Sequence, residues 1–153
     1  TSLKRRESFK ANKLDERVKA LCFFDIDHFK NINDTYGHNV GDDVIKAFAN
    51  CLEENIRDVD VAFRWGGEEF LVLIKGKVDE SVDVYSILDR LRASVEAMDI
   101  DELPKYTVSI GYSYYDPNLD VKDLIRQADL ALYESKRTGR NKVSEYKSRM
   151  SKI

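Results

Sequence analysis

The chain has 153 residues, enough for one domain with a substantial core around a single sheet. Its composition, 42% hydrophobic and 35% charged, is typical of a globular protein, and no apolar run is long enough to span a bilayer. The net charge of -3 argues against nonspecific nucleic-acid binding, so any anion site must be built from a few placed basic residues.

The start of the chain and its cysteines bear on its context. The chain begins at Thr1 without a methionine or a signal-peptide pattern, which suggests a piece of a longer protein with a regulatory domain before it. Cys22 and Cys51 lie in apolar patterns and predict buried free thiols of a reducing compartment. We expect a single C-terminal output domain over residues 1–153, cytoplasmic and without membrane contact of its own, whether or not the full-length protein is tethered to a membrane.

The first elements precede the polar segment that follows residue 24. Leu3, Phe9 and Leu14 are sparse apolar points within residues 3–17, which we interpret as a short amphipathic helix. Residues 18–24 form a β-rich apolar run that predicts a central strand ending on acidic residues.

A helix is predicted over residues 41–56. Its apolar residues recur on one helical face, and Asp42 and Asp43 stand at its start, where carboxylates suit the helix dipole. Two short β-rich runs follow, "DVAFRW" and "FLVLIK". The "GGEE" between them predicts a tight hairpin, since Gly66 and Gly67 supply backbone freedom.

The second half of the chain alternates helices and strands. Residues 79–98 carry apolar residues in steps of three and four, which predicts a core-facing helix. "YTVSIGYSYY" predicts a strand, residues 120–140 a further helix, and "KVSEY" a last strand. This order predicts an α/β (α+β) fold with a mixed central sheet flanked by helices, either ferredoxin-like or polymerase-palm-like.

Acidic residues cluster where the central strand ends. Asp25 and Asp27 are two apart and would share a face if the strand extends that far, although a D-x-D alone is more often a turn cap than a metal site. If the hairpin pairs beside this strand, Glu68 or Glu69 lies close to Asp25. Three acids at one sheet edge repel each other unless a cation binds.

The residue types at this edge favour magnesium over zinc. Carboxylate oxygens suit Mg²⁺, which keeps several waters and is completed by substrate phosphates, so the pattern implies a nucleotide. His28 and His38 have no partner ligands at zinc-like spacing. The chain also contains no Walker motif, no G-x-G-x-x-G and no G-x-S-x-G.

A basic cluster lies in "SKRTGRNK". Lys136 and Arg140 are four apart, so on one helical face they would reach phosphates at the same sheet edge. Solvated positive charge at a helix C-terminus explains the cluster equally well.

The sequence resembles the GGDEF domain of the diguanylate cyclase family, with the signature present as "GGEEF" at residues 66–70. The similarity extends through "FDIDHFKNINDTYGHNVGDDV", "RWGGEEF", "TVSIGYS" and "ADLALYESKRTGRNKV", in family order over nearly the whole chain. The resemblance implies a palm-like nucleotidyl cyclase fold and the condensation of two GTP molecules into cyclic di-GMP with release of two pyrophosphates. Trp65 stands where the family more often has tyrosine or leucine.

The resemblance also implies roles for individual residues. Asp25, the carbonyl of Ile26, and Glu68 would hold Mg²⁺, with Mn²⁺ as a substitute. Glu68 is in addition the expected proton acceptor, and Lys30 with the loop amides after Asp27 would hold phosphates, while Asp27 itself would be structural. The remaining expected substrate contacts are Phe29, Asn33, His38, Asp42, Lys136 and Arg140, of which Asn33 and Asp42 would read the guanine edge.

Partners and regulation follow from the same resemblance. One protomer would hold one GTP, so catalysis implies a homodimer. Arg57 and Asp60 match an R-x-x-D product-inhibition site, to which Arg90 would contribute, although a bare R-x-x-D is usually a surface ion pair. The alternatives are a catalytically silent receptor for cyclic di-GMP or GTP, and a related cyclase that uses another nucleotide.

Overall fold

The computed structural model describes residues 3–9 and 14–152, and within them six strands form one mixed sheet in the order β1-β3-β4-β2-β5-β6. The strands are β1 (Lys4–Arg5), β2 (Val18–Ile26), β3 (Val61–Arg64), β4 (Glu69–Lys75), β5 (Val108–Tyr114) and β6 (Val143–Glu145). The central strands β3, β4, β2 and β5 pair antiparallel, while β1 and β6 add parallel edges. This confirms the predicted α+β fold with a mixed central sheet.

Four α-helices cover the two faces of the sheet. They are α1 (Phe29–Tyr36), α2 (His38–Asn55), α3 (Val84–Ala97) and α4 (Val121–Arg137). Helices α1, α2 and α3 contribute to the larger apolar core on one face, and α4 to the smaller core on the other. None of the helices within the described residues has the length and hydropathy that a bilayer crossing requires.

Strand β2 lies between the two apolar cores, and side chains on both of its faces are buried. Cys22 and Phe24 enter the larger core, whereas Leu21 and Phe23 enter the smaller one, as the two-residue period of a strand requires. Cys22 is a free, buried thiol, and so is Cys51 on α2, as predicted.

The predicted helix over residues 3–17 is wrong for the part of that segment that the structure describes. Residues 4–5 form β1, a 3-10 turn follows at Arg6–Ser8, and residues 10–13 lie outside the described residues. The physical reason is that the apolar points serve different cores. Leu3 packs on the larger core, whereas Phe9 and Leu14 pack on the smaller core across the sheet, which one helical face cannot do.

The start of α2 and the existence of α1 also differ from expectation. Helix α2 begins at His38, so Asp42 and Asp43 lie beyond its first turn and do not cap it. Helix α1 was not predicted because "FKNINDTY" contains a single buried residue, Ile32. Gly37, with φ of +92°, separates the two helices.

Candidate active site

A cavity of about 260 Å³ opens where β2 ends, and it gathers seven of the predicted site residues. Those seven are Asp25, Ile26, Phe29, Lys30, Glu68, Lys136 and Arg140. They come from four separate parts of the chain, namely the end of β2, helix α1, the β3–β4 turn and the end of α4. The fold therefore brings the predicted metal and phosphate ligands to one place.

The acids meet because β4 pairs with β2 in antiparallel register. Asp25 lies opposite Glu69, and the Ile26 amide donates to the carbonyl oxygen of Glu68 at 3.3 Å. This confirms that the hairpin brings the glutamates beside Asp25. Burial, together with the charges of Glu68 and Glu69, raises the pKa of Asp25 to about 6, against the lowering effect of Lys136.

Lys136 is the cation that faces Asp25. Its ammonium group, on the last turn of α4, donates to the Asp25 carboxylate, whose side chain is only 9% exposed. Among the described residues, Lys136 is therefore the ion-pair partner of this buried carboxylate, and two glutamates lie nearby. Lys136 is thus engaged with Asp25, and Lys30 and Arg140 add further positive charge to the same cavity.

Asp27 has a different environment from Asp25. Strand β2 ends at Ile26, so the two aspartates do not share a strand face. The Asp27 carboxylate accepts hydrogen bonds from Thr107 Oγ1 at 2.7 Å, Ser109 Oγ at 2.6 Å and the Asn141 amide at 3.0 Å. These three donors hold Asp27 as a structural anchor between β2, β5 and the loop after α4. It does not cap the following helix, whose N-cap is His28.

The amides after Asp27 belong to the start of a helix. His28 adopts a left-handed conformation with φ of 56°, and α1 begins at Phe29. The first amides of a helix have no acceptor within it and favour anions. Lys30 lies on this first turn and pairs with Asp34 at 3.2 Å on the surface, a weak contact that leaves its ammonium group able to exchange partners.

A second part of the candidate site lies in the groove between α1 and α2. Asn33 Oδ1 is buried there without a hydrogen-bond partner among the described residues. Gly41 makes room for it, because a Cβ at Gly41 would lie 1.8 Å from that oxygen and 3.3 Å from the ring of Phe29. Asp42 follows Gly41 and is exposed, as is His38 one turn earlier. A buried unpaired amide is the kind of group that a ligand edge would satisfy.

Arg140 does not lie on one helical face with Lys136, contrary to the sequence interpretation. Helix α4 ends at Arg137, and Arg140 has a positive φ of 64° in the loop beyond. Its side chain nevertheless lines the same cavity as Lys136. The loop after α4, and not helical periodicity, places Arg140 there.

The glycine turn of the hairpin is held by the residues just before it. Arg64 donates to the carbonyl oxygens of Gly66 at 3.2 Å and Gly67 at 2.9 Å. Neither glycine has a positive φ, and a Cβ at Gly67 would meet nothing within 4 Å. The expectation that these glycines supply special backbone freedom is therefore wrong. Gly67 leaves open space next to Glu68, whereas a Cβ at Gly66 would lie 3.1 Å from Glu69 Oε1.

Trp65 has a packing role that sequence inspection missed. The Arg6 guanidinium lies 4.3 Å from the centroid of its ring, and the rings of Phe9 and Phe23 meet it edge-on at 5.3 and 5.7 Å. The segment at residues 3–9 thus supports the hairpin from the side of the smaller core.

The R-x-x-D residues lie at the opposite end of β4 from the cavity. Asp60, with its side chain fully buried, accepts from Arg57 Nε at 3.1 Å and Nη2 at 2.9 Å. It also accepts from the amides of Arg57 and Lys75, both at 3.0 Å. Arg57 keeps about a third of its side chain exposed and lines a separate cavity of about 390 Å³. Arg90 is exposed on α3 and is not among the residues that line this cavity.

The sheet order, with carboxylates at the ends of two adjacent antiparallel strands and a helix start beside them, defines a palm-like nucleotidyl cyclase domain. Residues 4–142 match the family described as "Diguanylate cyclase, GGDEF domain". The chain belongs to this family.

Relatives and solved structures agree with the assignment. The chain is 42% identical over 125 residues to diguanylate cyclase DgcM of Escherichia coli, and 40% identical over 137 residues to diguanylate cyclase A of Treponema denticola. These alignments cover 81% and 87% of the chain but only 30% and 36% of the relatives, so the chain spans about a third of their length.

Two solved domains share nearly the whole fold. The GGDEF domain of DgcB from Caulobacter crescentus in complex with c-di-GMP is 32% identical, with a TM-score of 0.84 over 95% of this chain and 92% of that one. The active GGEEF domain of a diguanylate cyclase from Vibrio cholerae is 28% identical, with a TM-score of 0.80 over 97% of this chain and 99% of that one.

Proposed function

We propose that this domain is a diguanylate cyclase that condenses two GTP molecules into cyclic di-GMP and two pyrophosphates. The observation that carries the proposal is the joining of Asp25 and Glu68 with Lys30, Lys136 and Arg140 in one cavity, in a chain that belongs to this family. Two acids able to hold a metal and three cations able to hold phosphates are the parts that phosphoryl transfer needs.

The residues fit a divalent metal, which the family generally uses. No group of three or more histidine, cysteine, aspartate or glutamate side chains within residues 3–9 and 14–152 forms a closed metal site. Two carboxylates with the Ile26 carbonyl instead suit Mg²⁺, or Mn²⁺ in its place, because Mg²⁺ keeps waters and takes its remaining ligands from phosphates. When bound, the metal would neutralise charge on the phosphates and lower the pKa of the attacking hydroxyl.

The chain's own residues would orient and stabilise the triphosphate. The amides that open α1, together with Lys30, would bind phosphate oxygens, and Lys136, which pairs with Asp25 in this structure, would offer its ammonium group to the same phosphates. Arg140 would add a planar donor at the same cavity. The 3′-hydroxyl of one GTP then attacks the α-phosphorus of the other with pyrophosphate leaving, and Glu68 accepts the proton. A second, reciprocal attack closes the ring and releases the second pyrophosphate.

The groove between α1 and α2 would select guanine. Asn33 Oδ1 is an unpaired acceptor, and Asp42 on α2 presents a carboxylate from the neighbouring helix. Guanine offers N–H groups at its edge where adenine does not, so the wrong base would leave buried groups unpaired at a cost of about 10⁴-fold in specificity. Phe29 and His38 complete the substrate contacts that we propose in this groove.

The reaction requires two copies of the domain. One cavity holds one GTP, so the two nucleotides meet only when two protomers face each other, and dimerisation through a regulatory segment outside this chain would set the rate. Cyclic di-GMP would in turn inhibit the enzyme at Arg57, Asp60 and Arg90. The exposed third of the Arg57 side chain and its cavity support this, with Asp60 fixing the guanidinium in place.

Chromatography and mass analysis of the purified domain with GTP and Mg²⁺ test the proposal. The domain is used at high concentration and also fused to a dimerising coiled coil, because a weak dimer would otherwise hide activity. Formation of cyclic di-GMP is the expected result, and ATP supplied at the same concentration is expected to remain unchanged.

Two other outcomes point to the alternatives. If GTP remained unreacted with both forms of the protein while cyclic di-GMP still bound, the domain would be a receptor and not an enzyme. Turnover of ATP as fast as GTP would replace it by a cyclase of different specificity.

A further inference from the structure

Three consecutive residues after α4 have left-handed backbone conformations. The φ angles are 121° at Gly139, 64° at Arg140 and 48° at Asn141. Glycine adopts such angles freely and asparagine tolerates them, but arginine rarely does. A run of this kind persists only where surrounding contacts impose it.

Asn141 makes those contacts with its backbone amide and with both polar atoms of its side chain. Its amide donates to Asp27 Oδ2 at 3.0 Å, and its side-chain Nδ2 donates to Glu96 Oε2 at 2.8 Å. Its Oδ1 accepts from Arg92 Nη1 at 3.0 Å. Since arginine only donates and carboxylate only accepts, the two partners on α3 fix the orientation of the Asn141 amide.

The α3 partners are themselves held in place. Arg92, with its side chain only 18% exposed, donates to Asp89 at 2.8 Å and to Glu96 at 3.1 Å. Hydrogen bonding to Asp89 and Glu96 raises the pKa of Arg92, so the guanidinium stays charged. Hydrogen bonds therefore hold Asn141 to α3 on one side and to the Asp27 carboxylate on the other.

Arg140 lies between these fixed points. Its own amide donates to the carbonyl oxygen of Ser135 at 2.9 Å, which ties the residue to the end of α4. Its exposed side chain lines the cavity of Asp25, Glu68 and Lys136. The backbone at 139–141 therefore sets the direction in which this guanidinium enters the cavity.

We propose that Asn141 is a positioning residue that holds Arg140 in its phosphate-binding direction, with Arg92 and Glu96 as its supports. The proposal rests on the proposed function in that Arg140 is taken to bind phosphate. It adds three residues to the site without assigning them a substrate contact: Asn141 in the loop after α4, and Arg92 and Glu96 on α3, remote in sequence from the signature motif.

A double-mutant cycle tests the proposal, with KM and kcat for GTP measured beside calorimetric affinity for inorganic pyrophosphate. Asn141→Ala is expected to raise KM and weaken pyrophosphate binding by about tenfold, with kcat changed much less. The reason is that the Arg140 guanidinium would no longer be oriented toward the phosphate that it contacts. In an Arg140→Ala background, Asn141→Ala is expected to have no further effect. Asn50→Ala, at an exposed position of α2, is the matched control and should leave all values unchanged.

Two further variants separate positioning from folding. Asn141→Gly accepts the positive φ and removes only the side-chain clamp, so it should weaken pyrophosphate binding as Asn141→Ala does. Glu96→Gln removes the charge of one partner at the surface and should give a smaller change in the same direction without loss of folding. Full activity in Asn141→Ala, or additive losses from Asn141→Ala and Arg140→Ala, would overturn the proposal.

The pyrophosphate measurement also keeps the proposal distinct from the proposed function. If no cyclic di-GMP forms but Asn141→Ala still weakens pyrophosphate binding only when Arg140 is present, the positioning role stands and the cyclase assignment fails. If cyclic di-GMP forms and pyrophosphate affinity is indifferent to Asn141, the positioning role fails alone.

Discussion

The two ends of strand β4 place buried aspartates in different environments. At the Glu69 end, burial, with a smaller contribution from Glu68 and Glu69, raises the pKa of Asp25 to about 6 despite the lowering effect of its ion-pair partner Lys136. At the Lys75 end, Asp60 is fully buried but accepts four hydrogen bonds from Arg57 and backbone amides.

The difference distinguishes a carboxylate that can still bind a cation, Asp25, from one whose hydrogen bonds stabilise the fold, Asp60. A carboxylate saturated by fixed donors gains little from a new cation, whereas carboxylates that repel one another gain the full attraction of one. The Asp25 end therefore has the charge arrangement of the metal and phosphate site that we propose, while Asp60 fixes the corner from which Arg57 faces solvent. Substitutions at the two ends should accordingly change different quantities.

The largest effect is expected from Glu68→Gln. The amide keeps the size of the side chain but loses the charge that would bind metal and the basicity that would accept a proton, so kcat should fall by about 10³-fold. GTP binding, measured by calorimetry, should largely survive. The control is Glu54→Gln at an exposed position of α2, and a Glu68→Gln enzyme with activity near that control would contradict the assignment.

Arg57→Ala is expected to show the next largest effect, on stability. It leaves the Asp60 carboxylate buried without its countercharge, which should lower the free energy of unfolding by about 3 kcal/mol or more. Arg90→Ala, at an exposed position, should change it by less than about 0.5 kcal/mol. Urea unfolding measures both.

Both arginine variants should nevertheless lose cyclic di-GMP inhibition if the proposed product site is right. Equal stabilities would show that the Arg57–Asp60 pair does not hold the fold. Unchanged inhibition in Arg90→Ala would remove Arg90 from the product site.

The raised pKa of Asp25 predicts a pH dependence at the other end of β4. Because the folded pKa of about 6 exceeds the ordinary value of 3.8, the folded state retains the proton longer than the unfolded chain. Stability is therefore favoured below about pH 4 and lost as the pH rises through 6, by up to about 3 kcal/mol. Asp25→Asn should not lose stability in this way, because asparagine does not ionise.

The measurement is the difference in unfolding free energy between the wild-type protein and Asp25→Asn, followed from pH 4 to pH 7.5 with a metal chelator present. The free energy of unfolding of Asp25→Asn should increase relative to that of the wild-type protein as the pH rises. A difference that stays constant over this range would show that burial of Asp25 is not the dominant influence on its pKa.

Strong periodicity explains how much of the fold could be predicted. Strand β2, the hairpin and helices α3 and α4 all bury regular apolar patterns, so their positions follow from the sequence alone. Helix α1 buries one residue, and the segment at residues 3–9 serves both faces of the sheet. Neither has a local pattern that distinguishes it from a loop or a helix.

The candidate site was predictable where pairing of neighbouring strands brings residues together, as for Asp25 and Glu68. The distinction between Asp25 and Asp27 was implied only by the family resemblance and did not follow from residue spacing, because Asp27 is anchored by Thr107 and Ser109, about eighty positions along the chain. Asn141 was missed for the same reason, since its partners on α3 precede it by more than forty residues. Sequence spacing carries no signal for such contacts.

The smallest effect is expected from Gly67→Ala, and it tests what the signature glycines do. The structure offers open space at this position and no left-handed backbone, so the added methyl group should change the free energy of unfolding by less than about 0.5 kcal/mol. If that space is reserved for a nucleotide, KM for GTP should still rise by about tenfold, because the methyl group would stand between the turn and its ligand.

The matched comparison is Gly76→Ala at the other end of β4, where a Cβ would approach Val82 at 2.9 Å and Glu80 at 3.0 Å. That substitution should lower stability and leave KM unchanged. A Gly67→Ala protein that lost stability and kept its KM would assign this glycine to the fold, and the two ends of β4 would then no longer differ in what their glycines provide.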